Sequence, residues 1–334
     1  MKPDECQRLK KRIGNRTFEK RLARERYRKG ETDVPKGRFA RFARMMVVHK
    51  LRWVGPAVRF CFKASGLYPM AHRNYLRLAV TEREQPLAHL PREFDGFRVL
   101  HLSDLHLDLD PSLVDALVPV LRTVKADICV LTGDYRNHTI GEWHEAVSYF
   151  AKMMEALPMP VYGVLGNHDS LEQVEPLERT GARMLLNEHV LLQRDGASLC
   201  LAGIDDPNVY CTHHLPSALK DVPKDLCKIL LAHSPAAWAV AEKAGIDLYL
   251  AGHLHGGQIC PPWGGVYLRN DKSPSKFWVG AWKSGDMAGY TSRGTGGCGV
   301  PLRLFSPPEI VVHTLRTATD NPPHCGERNL LAKR

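Results

Sequence analysis

Metal-ligand side chains follow several apolar segments of this sequence. The clearest case is Gly252-His253-Leu254-His255, which follows the apolar residues 248–251. Successive side chains of an extended segment point to opposite faces, so His253 and His255 share one face. Neutral imidazoles placed in this way suit divalent metals such as zinc, manganese and iron. Two histidines on one strand face can also be solvated surface residues, so this pair alone does not decide.

Four more clusters of the same character stand at the ends of apolar segments. In chain order they are Asp104 with His106, Asp134, Asn167 with His168, and His233. Ligands bind at the carboxyl ends of strands in open α/β sheets, so these ends predict one shared site. Carboxylates supply charge and imidazoles supply selectivity, which is what two divalent cations need. Any single cluster could be a turn, but five in this order predict a metal site.

The segments that carry these clusters alternate between strands and helices. Apolar strands are predicted at 94–102, 127–132, 160–165, 228–232 and 248–251, with helices at 111–125, 142–157 and 236–244. Strands at 183–186, 189–194 and 198–204 are expected to form an antiparallel section, and a last strand is predicted at 309–315. Alternating strands and helices followed by hairpin-like strands predict a layered α/β fold with mixed sheets.

The order Asp-x-His, Gly-Asp, Gly-Asn-His-Asp, His and Gly-His-x-His resembles the calcineurin-like metallophosphoesterase superfamily over roughly residues 96–258. A weaker resemblance, carried by residues 299–310, is to a membrane-associated bacterial branch that includes UDP-2,3-diacylglucosamine pyrophosphatases. The resemblance implies a four-layer αββα sandwich of two mixed β-sheets flanked by helices.

The resemblance also implies a role for each cluster. Six residues would divide between two divalent ions, with Asp134 bridging them: Asp104, His106 and His255 on one ion, and Asn167, His233 and His253 on the other. A hydroxide between the ions would attack phosphorus. His168 would be the catalytic side chain, binding a phosphoryl oxygen or protonating the leaving oxygen. Some members carry a second Asp three residues after the bridging one, where this chain has Asn137, so the acid role is less secure. Manganese is the expected metal, with iron or zinc as alternatives.

Basic residues are concentrated in the N-terminal part of the chain. Residues 1–78 contain 22 Lys or Arg and 6 Asp or Glu, a net charge of +16, whereas the remainder contains 24 and 30, a net of −6. Residues 1–36 are expected to be a solvated helix or disorder. Residues 37–66 interleave aromatic residues with arginines, which predicts an interfacial helix on an anionic membrane surface. The alternative is a helical arm packed on the catalytic body.

The expected organisation is a basic helical arm at 1–92, a catalytic domain at 93–316 and a polar tail at 317–334. Nine cysteines occur singly without C-x-x-C spacing, and no signal-peptide pattern follows the first charges. These features favour a reducing compartment. We therefore expect a cytoplasmic protein, peripheral on the inner face of the cell membrane.

The expected function is hydrolysis of a phosphodiester or pyrophosphate by a dinuclear metal site at that membrane face, with UDP-2,3-diacylglucosamine as a candidate substrate. One alternative is a nuclease or nucleotide phosphodiesterase whose arm binds nucleic-acid phosphates. A second alternative is a metal-stabilised binding module without turnover. His168 and the full ligand set argue against the binding module.

Overall fold

Two mixed β-sheets form the centre of the protein in the computed structural model, which describes residues 1–31, 54–266, 270–318 and 328–331. In chain order the strands are β1 (Ala79–Leu87), β2 (Arg98–Leu102), β3 (Ile128–Leu131), β4 (Val161–Gly163), β5 (Ala182–Met184), β6 (Glu188–Arg194), β7 (Ala197–Gly203), β8 (Lys228–Leu231), β9 (Leu248–Ala251), β10 (Gly280–Ser284), β11 (Met287–Thr291), β12 (Glu309–Thr317) and β13 (Arg328–Leu331). The first sheet has the order β13-β1-β12-β2-β3-β4-β5, and the second has the order β10-β11-β9-β8-β7-β6.

Helices cover the outer face of each sheet. They are α1 (Pro3–Ile13), α2 (Asn15–Lys29), α3 (Val54–Ala64), α4 (Tyr68–Leu76), α5 (Ser112–Leu121), α6 (His144–Met154), α7 (Val174–Glu178), α8 (Leu215–Ala218) and α9 (Trp238–Lys243). Helices α5 and α6 pack on the first sheet, and α8 and α9 on the second. Within the part of the chain that the structure describes, no helix combines the length and hydropathy needed to cross a bilayer.

Three apolar clusters separate these layers. The cluster between the sheets takes side chains from strands of both, such as Val130 from β3 and Leu250 from β9. The other two lie between each sheet and its helices. Strands β2, β3, β8 and β9 are short and buried on both faces, which explains why they are mainly apolar, with Arg98, His101 and Lys228 as the charged or titratable exceptions. The predicted four-layer αββα sandwich is therefore confirmed.

Several strands differ from the sequence-based expectation. The predicted boundary between the N-terminal arm and the catalytic domain, at residue 93, places β1 in the arm. In the structure, β1 pairs in parallel with β12 inside the first sheet. Strand β13 lies within the predicted tail and pairs with β1. Strands β6 and β7 are antiparallel as expected, but β5 pairs in parallel with β4 in the first sheet. Periodicity identifies strands and not their partners, because the partners are distant in sequence.

A hairpin at the edge of the second sheet was missed. Strands β10 and β11 pair antiparallel around Gly285-Asp286, and Gly285 has a positive φ of 56°. A glycine followed by a polar residue between two short strands is an ordinary hairpin signal. The sequence therefore contained the turn signal of this hairpin, but neither flanking segment has the strongly apolar composition that predicts a strand.

The N-terminal residues are helical and packed, not solvated. Leu9 and Ile13 of α1 and Phe18 of α2 are buried in the cluster beneath the first sheet. Arg12 binds both Glu178 and Glu188, at 2.9 and 2.8 Å. These acidic partners lie more than 160 residues away along the chain, so local composition could not reveal them. Of the predicted interfacial segment, residues 37–53 lie outside the described residues.

Gly203 marks a close approach of the two sheets. A Cβ at this position would lie 2.5 Å from Leu185 Cβ and 2.7 Å from Val164 Cγ1. We expect Gly203→Ala to lower the free energy of unfolding by about 1–3 kcal/mol, because the overpacked core must separate the sheets. Chemical denaturation measures the change. Gln193→Ala, an exposed position on β6, serves as the control, and equal effects of the two substitutions would contradict the close packing.

Candidate metal centre

The five predicted clusters come together where strands of both sheets end. Asp104, Asp134 and Asn167 follow β2, β3 and β4 of the first sheet. His233 and His253 follow β8 and β9 of the second. The layered fold thus places the two sets of side chains against each other, although they are far apart in sequence. All seven predicted metal ligands are buried.

The seven side chains form two groups on either side of Asp134. In one group, His255 Nε2 lies 3.3 Å from His106 Nε2 and 3.4 Å from Asp104 Oδ1. In the other, His233 Nε2 lies 2.9 Å from Asn167 Oδ1 and 3.1 Å from His253 Nδ1. Asp134 Oδ2 is 3.6 Å from His106 Nε2 and 3.3 Å from His233 Nε2. One carboxylate therefore contacts both groups.

The hydrogen bonds of the imidazole rings orient the lone pair of the other ring nitrogen toward the site. Nδ1 of His106 donates to the carbonyl of Arg136, and Nδ1 of His233 donates to that of Thr132, each at 2.8 Å. His253 has the opposite orientation, with Nε2 at 3.1 Å from the carbonyl of Asn270 and Nδ1 facing His233. Lone pairs that face each other in a buried space fit divalent cations, and backbone carbonyls that fix the tautomers are the usual second partners.

The charges of the site also fit cations. Burial alone raises the pKa of Asp134, but His233 and His168 outweigh it and hold that pKa well below its usual value. Burial lowers the pKa of His233 while Asp134 raises it, with a net value of about 10. Burial and His106 lower the pKa of His255 well below its usual value. A positive charge is thus favoured between Asp134 and His233, and a divalent cation there would replace the proton.

The ligand loops have strained backbones. Five of the predicted ligands have φ between 43° and 76°, which is unusual for residues with side chains: Asp104, His106, Asp134, His253 and His255. Such conformations cost of order 1–3 kcal/mol each and persist where surrounding contacts enforce them. Glycines permit these contacts, since a Cβ at Gly252 would lie 1.8 Å from Ser103 Oγ. The positions of these ligand side chains are therefore fixed by close backbone packing.

His168 lies beside this centre, as the sequence predicted. Its Nε2 is 3.9 Å from Asp134 Oδ2, and Nδ1 contacts the main-chain carbonyl of Asn137. Burial lowers the pKa of His168 to about 3, so the neutral ring presents an Nε2 lone pair to the site. The Asn137 side chain instead accepts from the Gly299 N–H at 2.8 Å. A backbone carbonyl thus orients the histidine where an aspartate was expected from related sequences.

Asp169 is a supporting residue to which the sequence analysis gave no role. Its carboxylate accepts from the backbone N–H groups of Asp134, Tyr135 and Gly166 at 2.8 to 2.9 Å. These bonds join the loop after β3 to the loop after β4. The sequence contained a signal for this supporting role, because the last residue of the Gly-Asn-His-Asp motif is an acid that was not assigned to either metal ion.

Arg21 of α2 anchors the loop after β4, which carries Asn167 and Asp169. Its guanidinium is buried, donates to the carbonyl of Asp169 at 2.8 Å, and pairs with Glu25 at 2.8 Å and Asp205 at 2.6 Å. It also stacks on Tyr210 at 3.5 Å. Arg28, two turns further along α2, contacts the carbonyl of Asn167. Nothing in a charged helix distinguishes these two arginines from their neighbours, so the sequence could not identify them.

The glycine-rich loop 294–299 closes another side of the centre. Two of its N–H groups donate within the protein: Thr295 and Gly296 bind the carbonyls of Ser103 and Asp104 at 2.8 and 3.0 Å. Cys298 Sγ lies 3.8 Å from His168 Nε2. Burial raises the pKa of Cys298 to about 12, so the side chain is a thiol. This loop is a structural wall of the site.

Removing the Arg21 guanidinium tests how far α2 supports the centre. We expect Arg21→Met to lower the free energy of unfolding by about 3–5 kcal/mol, because it leaves two buried carboxylates unpaired. Metal affinity measured by titration calorimetry should fall by roughly 10–100-fold, since the loop carrying Asn167 loses a fixed anchor. The matched control is Arg26→Met, on the exposed side of α2. Unchanged affinity in a folded Arg21→Met protein would contradict the support.

Comparison with known proteins agrees with this geometry. A model of the family described as calcineurin-like phosphoesterase matches residues 97–257. The uncharacterized metallophosphoesterase YkoQ of Bacillus subtilis (strain 168) is 30% identical over 229 residues, which cover 65% of this chain and 83% of that protein. An uncharacterized metallophosphoesterase of Aquifex aeolicus (strain VF5) is 30% identical over 243 residues, covering 66% and 85%.

A longer relative is the bovine transmembrane protein with metallophosphoesterase domain, 31% identical over 262 residues. The match covers 72% of this chain, which spans 57% of the length of that protein. The resemblance inferred from the five motifs is confirmed at the superfamily level by these matches. The chain belongs to the calcineurin-like phosphoesterase family.

Proposed function

We propose that the protein is a metal-dependent phosphoester hydrolase that uses two divalent cations to cleave a phosphodiester or pyrophosphate. The observation that carries this proposal is the position of Asp134, whose Oδ2 faces His106 on one side and His233 on the other. A carboxylate between two groups of buried lone pairs suits a pair of cations better than one.

In this proposal the ligands divide as the sequence motifs indicate. Asp104, His106 and His255 hold one cation, Asn167, His233 and His253 hold the second, and Asp134 touches both. When bound, such cations provide a hydroxide nucleophile near neutral pH and neutralise the charge of phosphoryl oxygens. Manganese is the metal we expect from the mixed carboxylate and imidazole donors, with iron or zinc as alternatives.

His168 contributes a nitrogen next to the reacting phosphoryl group. Its low pKa and its Nδ1 contact with Asn137 favour a neutral ring. A neutral ring with Nδ1–H committed to a carbonyl accepts at Nε2, so it binds or orients a group that carries a proton. Protonation of the leaving oxygen would require the ring to gain a proton first, and this makes orientation of a water or hydroxyl the main role in our proposal.

We further propose that the substrate is presented at the inner face of the cell membrane, and that the enzyme is a peripheral cytoplasmic protein. The basic N-terminal region supports this proposal, as does the bovine relative that is described as a transmembrane protein. A lipid-linked pyrophosphate such as UDP-2,3-diacylglucosamine is the candidate substrate of this type. Turnover of a panel of phosphodiesters and pyrophosphates, by the purified full chain with each metal, tests the reaction class.

Removing the central carboxylate should abolish binding at both metal positions. We expect Asp134→Ala to lose activity by about 10²–10³-fold, the effect of removing a principal electrostatic group, and to lose both ions. Asn167→Ala should weaken one ion selectively, because only one group contains this residue. Metal content by plasma mass spectrometry after dialysis distinguishes the two. Full two-ion occupancy in a folded Asp134→Ala protein would overturn the bridging role.

The effect of His168 should depend on the leaving group. If His168 assists the leaving oxygen, His168→Ala should slow cleavage of an alkyl ester about 10²–10⁴-fold, and slow cleavage of a nitrophenyl ester much less. If it only orients the attacking water or hydroxyl, as the neutral ring favours, the losses on both esters should be similar. The two kcat values, compared with those of the unmodified protein, decide between these roles. His138→Ala, an exposed position in the neighbouring loop, is the control.

A further inference from the structure

The helical hairpin formed by α3 and α4 has an outer surface that no part of the described chain covers. None of the 11 residues of α3 is buried, although the helix is rich in apolar side chains. Phe60 is 72% exposed, and Leu67 and Met70 are 42% and 43% exposed. A short helix gains most of its stability from burying one face, so an apolar helix this open is expected to have a partner.

The same surface is basic. No Asp or Glu occurs between Asp33 and Glu82. The helices carry Arg59, Lys63 and Arg73, and Arg77 directly follows α4. Met70 and Arg73 are three residues apart on α4 and share one helical face, and Arg77 is exposed at the end of the helix. The ion pairs next to this surface involve other side chains, namely His72 with Asp110 and Arg293 with Glu309. The basic side chains of the hairpin are thus free of these carboxylates.

A cavity of about 410 Å³ continues the surface beyond α4. Arg77, Arg293 and Phe305 are among its lining residues, and Phe305 is 57% exposed. Cationic walls with an aromatic lip match a molecule that is anionic at one end and apolar at the other. A phospholipid headgroup with its upper acyl chain has this composition.

The hairpin also adjoins the metal centre. Val58 and Phe62 of α3 pack with Ala71 of α4 against Val300 and Leu302, and a Cβ at Gly55 would lie 3.3 Å from the Gly299 carbonyl. Cys298, on the same loop, lies 3.8 Å from His168. A body bound to the outer side of the hairpin would therefore be one helical layer away from the loop that contacts His168.

We propose that the outer surface of α3 and α4, together with Phe305, docks onto an anionic lipid bilayer and holds the metal centre at the headgroup layer. The apolar residues match the acyl boundary of a bilayer, and the arginines match its anionic headgroups. A nucleic-acid backbone would match the arginines but not the apolar residues. The inference rests on the membrane substrate proposed above and assigns the contact to described residues outside the segment 37–53.

Co-sedimentation of the full chain with phosphatidylcholine vesicles, with and without phosphatidylglycerol, tests the docking. We expect binding to the anionic vesicles. Arg73→Glu with Arg77→Glu should weaken it at least tenfold, because each basic residue near an anionic leaflet contributes about a fivefold factor. Phe60→Ser with Met70→Ser should weaken it several-fold and should remove the part of the binding that survives high salt.

Matched controls lie elsewhere on the surface. Arg122→Glu with Lys125→Glu reverses two exposed charges, and Leu191→Ser with Val240→Ser replaces side chains that are 44% and 46% exposed. These pairs should leave vesicle binding unchanged. Absence of vesicle binding, or equal effects of hairpin and control pairs, would overturn the docking. Tight binding of duplex RNA without vesicle binding would overturn it in favour of nucleic acid.

Hydrolysis of bis(p-nitrophenyl) phosphate, measured on the same proteins, separates this inference from the proposed reaction. Turnover without vesicle binding would refute the docking and leave the hydrolase intact. Vesicle binding without turnover of this ester or of any member of the phosphodiester and pyrophosphate panel, with every metal tried, would refute the hydrolase and leave the docking intact. Both hairpin variants should retain turnover of this soluble ester, since neither changes a residue of the metal centre.

Discussion

The position of the Asp134 carboxylate depends on how closely two sheets approach at one edge. Its partners come from both sheets, since His106 follows β2 and His233 follows β8. The approach is possible because Gly252, after β9, lacks a side chain where it meets Ser103, after β2, and a Cβ there would lie 1.8 Å from Ser103 Oγ. Within the first sheet, Gly166 lets the loops after β3 and β4 touch, since a Cβ there would lie 2.1 Å from Asp134 Oδ1. The strained backbones of the ligand loops follow from the same constraint.

The cost of this arrangement is offset in the surrounding structure. Asp169 ties two ligand loops together through three backbone N–H groups. Arg21 then anchors Asp169 through its carbonyl and ties α2 to Asp205 after β7. Such contacts around the predicted ligands fix the orientation of the loops that carry them. The N-terminal helices are thus part of the support of the centre.

The basic N-terminal region divides into two parts with different environments. In α1 and α2, arginines such as Arg12 and Arg21 pair with acidic residues of the catalytic body. In α3 and α4 the basic residues stand among exposed apolar side chains. The net charge of +16 in residues 1–78 therefore overstates what is available to a partner. The part that remains lies on the hairpin that packs against the loop beside His168.

The sequence alone determined the layered fold, and it predicted which side chains gather at the candidate metal centre. It could do so because polar residues at the ends of apolar strands are local patterns that can be recognised from residue type and spacing. Only the tertiary structure decided that β1 and β13 belong to the first sheet, that Asn137 orients His168 through its backbone, and that Arg21 supports the ligand loop. Each of these depends on contacts between residues far apart in the chain, and a buried ion pair or a strand partner leaves no periodicity in the sequence.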